Sequence, residues 1–239
     1  MSGHDYRITR DGAVARIDLN RPDEGNALTR AMMLQLSATL RELGNQPDVH
    51  VVALEGRGKQ FCRGRDGKGE SRVGMTPYEV RQKMMGAVLD VYQAVADVPV
   101  PVVALVHGDA LGFGCATAVG CDITLAASTA RFAFPEIEHD IPPTMAMCAA
   151  LGKVQAKALT YLIYTAEAVT AEEAMTFGLV SKVLPHASFA GDSEAFLKKL
   201  ASRPRLVLET IKRFQAKATH LTPDMASEYA GTLLALVRS

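Results

Sequence analysis

Apolar and polar residues alternate from Tyr6 to Leu19 in two short runs on either side of Asp11-Gly12, a spacing that predicts two strands joined by a turn. After the turn-forming stretch Asn20–Asn26 the period changes. Leu28, Met32, Leu36, Leu40 and Leu43 recur at helical spacing. Asp48–Glu55 is an apolar run of strand length, as expected of a strand covered on both faces, and Gly56–Gly69 is a glycine-rich basic loop. Thr76-Pro77 supplies a cap and then proline at the first helical position, opening a helix through Val80, Met84, Val88 and Val91. Val102–Val106 is another buried strand that runs on to Gly108. A helix of small residues from Gly112 to Gly120 follows, then strands at Asp122–Ala126 and Ala130–Phe134. From Gly152 the pattern is mostly helical, with an Ala-rich piece at Thr170–Phe177 stopped by Gly178 and a short strand in Leu179–Leu184. The tail from Ser193 reads as helix, broken near Ser202–Pro204 and at Thr222-Pro223.

Strands alternating with helices imply an α/β fold with largely parallel strands. Periodicity leaves open whether they form a spiral of ββα units or a doubly wound sheet. With 239 residues the chain is long enough for one large domain, or for one domain with a small appendage. Lys and Arg balance Asp and Glu at 26 each, so no net basic field points to nucleic acid. The longest apolar run, Val98–Val106, is interrupted by Pro99 and Pro101 and is too short to span a membrane. The start carries no apolar stretch behind a basic end, so a cytoplasmic protein is expected. Cys62, Cys115, Cys121 and Cys148 have irregular spacing, which favours reduced buried thiols over disulfides, and no Cys/His spacing suggests a metal.

Candidate chemistry gathers in three segments. Phe61-Cys62-Arg63-Gly64-Arg65-Asp66 and Gly108-Asp109-Ala110-Leu111-Gly112-Phe113-Gly114 are glycine-rich turns, the second opening a helix. Such turns expose backbone N–H groups, and a helix start adds partial positive charge, so they suit a phosphate or a developing oxyanion. Neither the dinucleotide fingerprint nor the P-loop pattern is present. The third segment, Phe132–Pro143, packs Glu136, Glu138, His139 and Asp140 between apolar residues. Glu136 follows a proline and precedes Ile137, where burial would raise its pKa toward that of a general base.

Together the segments resemble the crotonase (enoyl-CoA hydratase/isomerase) superfamily. "GRGKQFCRGRDGKG" is similar to its first oxyanion-hole stretch, "VHGDALGFGCATAVGCDITLAAS" to its second, and "ARFAFPEIEHDIPP" to its Pro-Glu-Ile segment. "NRPDEGNALT" and "EAMTFGLVSKVLP" resemble further signature stretches, so the likeness runs from about Val14 to Pro185. It implies a crotonase-like spiral of ββα units over residues 1–187, a C-terminal helical region at 188–239 used in assembly, and homotrimers or hexamers. It also implies an acyl-CoA substrate, with coenzyme A part of that substrate and no separate cofactor. The thioester oxygen would accept from the backbone N–H groups of Arg65 and Phe113. Ala27, Leu28, Arg63, Gly64, Asp66 and Lys68 would face the CoA, and residues of Ser71–Val91 would set acyl length. Phe113 stands where the family often has glycine and would shape the acyl pocket.

One departure bears on the reaction. Family hydratases carry a second glutamate on the helix after the second turn, and that position here is Ala116. The Pro-Glu-Ile glutamate is kept as Glu136. A single carboxylate is enough for isomerising a 3-enoyl-CoA to a 2-enoyl-CoA, which makes isomerisation the favoured reading. Hydration stays open with Glu138, His139 or Asp140 as a substitute acid; so do thioester hydrolysis, decarboxylation and silent acyl-CoA binding. The chain also ends without the basic final helix usual in the family.

Overall fold

The computed structural model describes residues 2–3, 5–68 and 70–238. Strands β1 (Ser2–Gly3), β2 (Tyr6–Asp11) and β3 (Val14–Leu19) lead to helix α1 (Arg30–Gly44) and strand β4 (Val51–Gly56). Helix α2 (Pro77–Val80) runs through a π-helical turn (Arg81–Met85) into α3 (Gly86–Asp97). Then come β5 (Val102–Val106), β6 (Ala110–Leu111), α4 (Phe113–Gly120), β7 (Ile123–Ala127) and β8 (Arg131–Ala133). A 3-10 turn (Pro135–His139) precedes α5 (Thr144–Ala150), α6 (Ala156–Thr165), β9 (Val169–Thr170), α7 (Ala171–Phe177) and β10 (Lys182–Leu184). The chain closes with α8 (Phe189–Ala201), α9 (Arg205–Ala218) and α10 (Pro223–Arg238).

The strand order resolves what periodicity left open. The larger sheet runs β1-β2-β3-β4-β5-β7-β10, with β3, β4, β5, β7 and β10 parallel. Order along the sheet follows order along the chain, with no reversal of the kind that defines a doubly wound sheet. A second sheet, β6-β8-β9, collects the short strands that follow β5 and β7, and Cys62, just after β4, joins it through a bridge to Ala110. Each turn of the chain therefore adds one strand to the large sheet and one short extension beside it, which is the spiral of ββα units.

Both faces of the large sheet are covered, as the continuous apolar runs predicted. In β4, Val52 and Leu54 point into the main core while Val51 and Ala53 point to a second layer, and in β5 Val102 and Ala104 alternate with Val103 and Leu105 in the same way. Helix α8 fills the second layer with Phe189 and Leu197, and Arg16 of β3 pairs with Glu194 of α8 at 2.6 Å. Several boundaries differ from expectation by a few residues: β7 is Ile123–Ala127, β10 only Lys182–Leu184, and the tail helix α8 starts at Phe189; two others have a clear local cause. Strand β4 begins at Val51, because the Val49 N–H is taken by the Gln46 carbonyl of the preceding turn (3.0 Å). Helix α1 begins at Arg30, because Thr29 caps it by accepting from the Met32 N–H (3.3 Å), which frees Leu28 for a different pairing. Of the cysteines, Cys62, Cys115 and Cys121 are buried and Cys148 is exposed.

The C-terminal helices are joined to the spiral by a buried lysine. Lys212 of α9 donates to the carbonyls of Val95 (2.8 Å) and Val100 (3.2 Å) and to the Asp122 carboxylate (2.7 Å). The same Asp122 oxygen accepts from the Val102 N–H (2.7 Å) at the start of β5. Losing the ammonium leaves two carbonyls and a carboxylate short of a donor, so Lys212→Ala should lower unfolding free energy by roughly 2–4 kcal/mol in urea denaturation. A loss below about 0.5 kcal/mol would mean that the apolar face of α9 holds it unaided.

Candidate active site

The two glycine turns lie at the same end of adjacent parallel strands, β4 and β5, and they interlock. Phe61 and Cys62 both donate to the Asp109 carbonyl (3.1 Å each), and Leu111 donates back to the Cys62 carbonyl (2.9 Å). Contact is so close that a Cβ on Gly114 would fall 2.2 Å from the Cys62 oxygen, so only glycine fits there. Asn26 fixes the first turn from below: its amide donates to the carbonyls of Arg57 and Gln60 (2.8 Å each) and its oxygen accepts from the Arg21 N–H (3.0 Å).

The backbone of Arg65 is oriented by Leu28. The Leu28 N–H donates to Gly64 O (3.0 Å) and its carbonyl accepts from the Asp66 N–H (2.8 Å), a parallel bridge centred on Arg65. In that pattern the flanked residue keeps its own N–H and C=O on the opposite edge. The Arg65 N–H therefore points away from Leu28. A methyl built on Gly64 would stand 3.8 Å from Phe113 N, so the first turn abuts the start of α4, where N–H groups have no intrahelical acceptor. Among the described residues neither the Arg65 nor the Phe113 N–H donates to another backbone group.

Beside these donors opens a cavity of about 310 Å³. Gly64, Arg65, Gly112 and Phe113 form one wall, and Met85, Val88 and Tyr92 from the π-helical turn and α3 form another. Glu136 enters from the 3-10 turn that Pro135 opens and Asp140, in left-handed backbone, closes. Its carboxylate lies against Gly112, where a Cβ would be 3.2 Å from Oε1. Gly112 has φ +53°, so a side chain there would be strained as well as crowded. Glu136 is half-buried, its Oε2 has no partner, and burial pushes its pKa above the ordinary glutamate value. A carboxylate poised in this way, next to unused N–H donors, is equipped to take a proton from carbon while the donors hold a developing oxyanion.

The predicted site residues do not all meet. Glu136, Arg65, Phe113, Arg63, Gly64 and His139 line the cavity, whereas Glu138 and Asp140 are exposed and do not. Leu28 is buried beneath the first turn and acts through its backbone. Asp66 accepts from the Lys68 N–H (3.1 Å) and from the Arg21 guanidinium (3.2 Å), and the backbone donor first, then the guanidinium, holds its pKa below the usual carboxylate range. The Ala27 carbonyl accepts from the same guanidinium (2.8 Å), and Lys68 is exposed. Ala116 is fully buried and is not among the residues that line the cavity, whereas Phe113, one turn earlier on α4, is. The sequence reading missed Tyr92, whose ring stacks on Phe113 (centroids 5.7 Å apart, planes at 26°), and Asn26. Within Ser71–Val91, the residues that reach the cavity are Arg72, Met85 and Val88. Arg65 is ion-paired with Glu70 at the edge of the turn. Among the described residues no cluster of His, Cys, Asp and Glu is arranged to hold a metal. No helix among them is long and apolar enough to cross a membrane.

Comparison with known proteins agrees with this fold. The family model described as enoyl-CoA hydratase/isomerase matches residues 9–233. A probable enoyl-CoA hydratase of Mycobacterium bovis is 33% identical over 214 residues, covering 86% of this chain and 80% of the relative. A short-chain-enoyl-CoA hydratase of Clostridium acetobutylicum is 31% identical over 86% of this chain and 78% of its own length. The crystal structure of an enoyl-CoA hydratase from Mycobacterium smegmatis superposes with a TM-score of 0.90 at 31% identity, over 97% of this chain and 90% of that one.

The state of Glu136 has a consequence for stability. Because its pKa is raised by folding, its ionisation weakens the native state: the stability present below the unfolded pKa is lost as pH rises through the folded one. Glu136→Gln removes the charge at constant shape. We expect the variant to melt about 2–4 °C above the parent near pH 8, with the difference vanishing in scanning calorimetry below the ordinary glutamate range. Equal melting temperatures at the higher pH would show that the carboxylate is stabilised by a donor outside this cavity wall.

Proposed function

The chain belongs to the enoyl-CoA hydratase/isomerase family, and from that premise we propose that it moves a double bond in an acyl-CoA, converting a 3-enoyl thioester to the 2-enoyl form with Glu136 as the only base. The observation that carries this reading is the carboxylate content of the cavity. Glu136 is there, and the position of the second family glutamate is Ala116, sealed in the core.

In the proposed reaction the thioester oxygen accepts hydrogen bonds from the Arg65 and Phe113 N–H groups. That polarises the carbonyl and makes the C2 proton acidic. Ionised Glu136 takes the proton, negative charge spreads over the dienolate and rests mainly on the oxygen held by the two donors. The neutral carboxyl then returns the proton to C4, and the double bond settles between C2 and C3. One group does both transfers, so no second acid is needed. Each oxyanion donor of this kind contributes about 3–4 kcal/mol to the barrier lowering. Coenzyme A comes with the substrate, and the exposed guanidiniums of Arg63 and Arg72 at the cavity suit its phosphates. Exposed Leu206, Ile211, Met225, Leu234 and Leu236 on α9 and α10 support a homotrimer or hexamer built through these helices.

Hydration is the second reading, favoured by the hydratase names of the relatives and by His139 at the same cavity. The two are separated by assaying 3-enoyl-CoA and 2-enoyl-CoA of several chain lengths. We expect isomerisation with little water addition, and a loss of about 10²–10⁴-fold in Glu136→Gln. The acid limb of kcat/KM should lie above the ordinary glutamate range, since the base works only when ionised. Fast hydration of 2-enoyl-CoA, abolished in His139→Ala, would replace this reading with the second.

A further inference from the structure

Besides Glu136, the wall of the acyl cavity carries a phenol hydroxyl. Tyr92 of α3 lines the cavity among Met85, Val88, Phe113, Met145 and Ala146, a wall otherwise of carbon and sulfur. Its ring is held in place by stacking on Phe113, the residue whose N–H borders the reacting carbonyl. Among the described residues nothing accepts a hydrogen bond from its hydroxyl. Burial, with a further push from the nearby Glu136 charge, raises its pKa far above the usual phenol value, so the group stays protonated and is a donor at every working pH. Tyr92 is half-buried, so water serves its hydroxyl in the free protein, and a group that displaces this water without accepting a hydrogen bond loses affinity. The cavity that Tyr92 lines is where the acyl chain goes.

We propose that Tyr92 is a specificity-determining residue, donating a hydrogen bond to a neutral oxygen carried by the acyl chain beyond the reacting carbons. On this reading the preferred substrates are hydroxy- or oxo-acyl-CoA thioesters rather than plain hydrocarbon ones. A chain carboxylate is disfavoured at this spot because ionised Glu136 shares the cavity and would repel it. A plain chain strips the hydroxyl of water without replacing the bond, whereas a hydroxyl or keto oxygen restores it. The inference rests on the acyl-CoA reading of the cavity but not on which reaction follows.

The test compares two matched pairs. Binding of hexanoyl-CoA and 6-hydroxyhexanoyl-CoA, which need no turnover, is measured by titration calorimetry on the parent and on Tyr92→Phe, which keeps the stacked ring. Turnover of 3-hexenoyl-CoA and 6-hydroxy-3-hexenoyl-CoA is measured alongside. We expect the parent to favour the hydroxylated member of each pair by about tenfold and Tyr92→Phe to bring both ratios close to one. A parent ratio near one, or a ratio that survives in Tyr92→Phe, overturns the proposal. A binding preference that depends on Tyr92, with no isomerisation of either enoyl thioester, keeps the proposal and removes the isomerase reading instead.

Discussion

The structure turns on a contact between two stretches of main chain that only a missing side chain permits. Gly114 sits where any Cβ would overlap the carbonyl of Cys62. That approach lets the turn after β4 and the turn after β5 share backbone hydrogen bonds, so both end at the mouth of one cavity. The parallel register of the two strands, Val52 beside Val102 and Leu54 beside Ala104, sets the turns level before they touch. Leu28 and Asn26 then use the remaining polar groups of the first turn on its inner side. What is left over is the Arg65 N–H on one turn and the Phe113 N–H on the other, both beside the cavity. Preorganised donors of this sort act on a developing charge without having to reorganise, which is why rigid backbone suits the task better than side chains.

Against those donors stands one carboxylate whose surroundings oppose its charge. Glu136 has apolar neighbours, an oxygen without a partner and a raised pKa. The same desolvation that weakens the native state brings the group closer to the acidity at which a general base is most effective. A guanidinium within hydrogen-bonding reach would have stabilised the fold and dulled the base. The arginines at the cavity are instead turned to other uses, Arg65 to Glu70 and Arg63 and Arg72 to solvent.

Much of this could be read from the chain, and the parts that could not share a physical cause. Strand β5 falls where the apolar run Val102–Val106 placed it, and the Thr76-Pro77 start carries a full capping box with Glu79, because both signals are local. The three site segments were legible for the same reason: glycines needed by a turn, and a glutamate behind a proline, announce themselves in a few residues. Tyr92 was not legible. It belongs to the apolar periodicity of α3 and reaches the cavity only through packing on Phe113, which lies far away in sequence. Of Glu138, His139 and Asp140, the sequence could not choose, since the 3-10 turn decides which side chain faces inward. Of the second sheet only β8 was legible, since β6 and β9 are two residues long and carry no period.

The loss of an acid at Ala116 and the presence of a ring at Phe113 are best understood as one change. The two residues are a helical turn apart on the same side of α4, so whatever occupies the first determines what the second can reach. A glutamate at the second position needs an open path to substrate and water. Phe113 lines the cavity with Tyr92 stacked upon it while Ala116 is fully buried, so a carboxylate at 116 would sit among apolar residues, an arrangement proteins avoid. Alanine is what such a wall tolerates. On the proposed reading the stacked pair would do two things with one piece of packing: fill the place where a second acid would work, and offer a phenol hydroxyl to the acyl chain. On that reading, chemistry and substrate preference would both be set by the same few side chains around a rigid backbone.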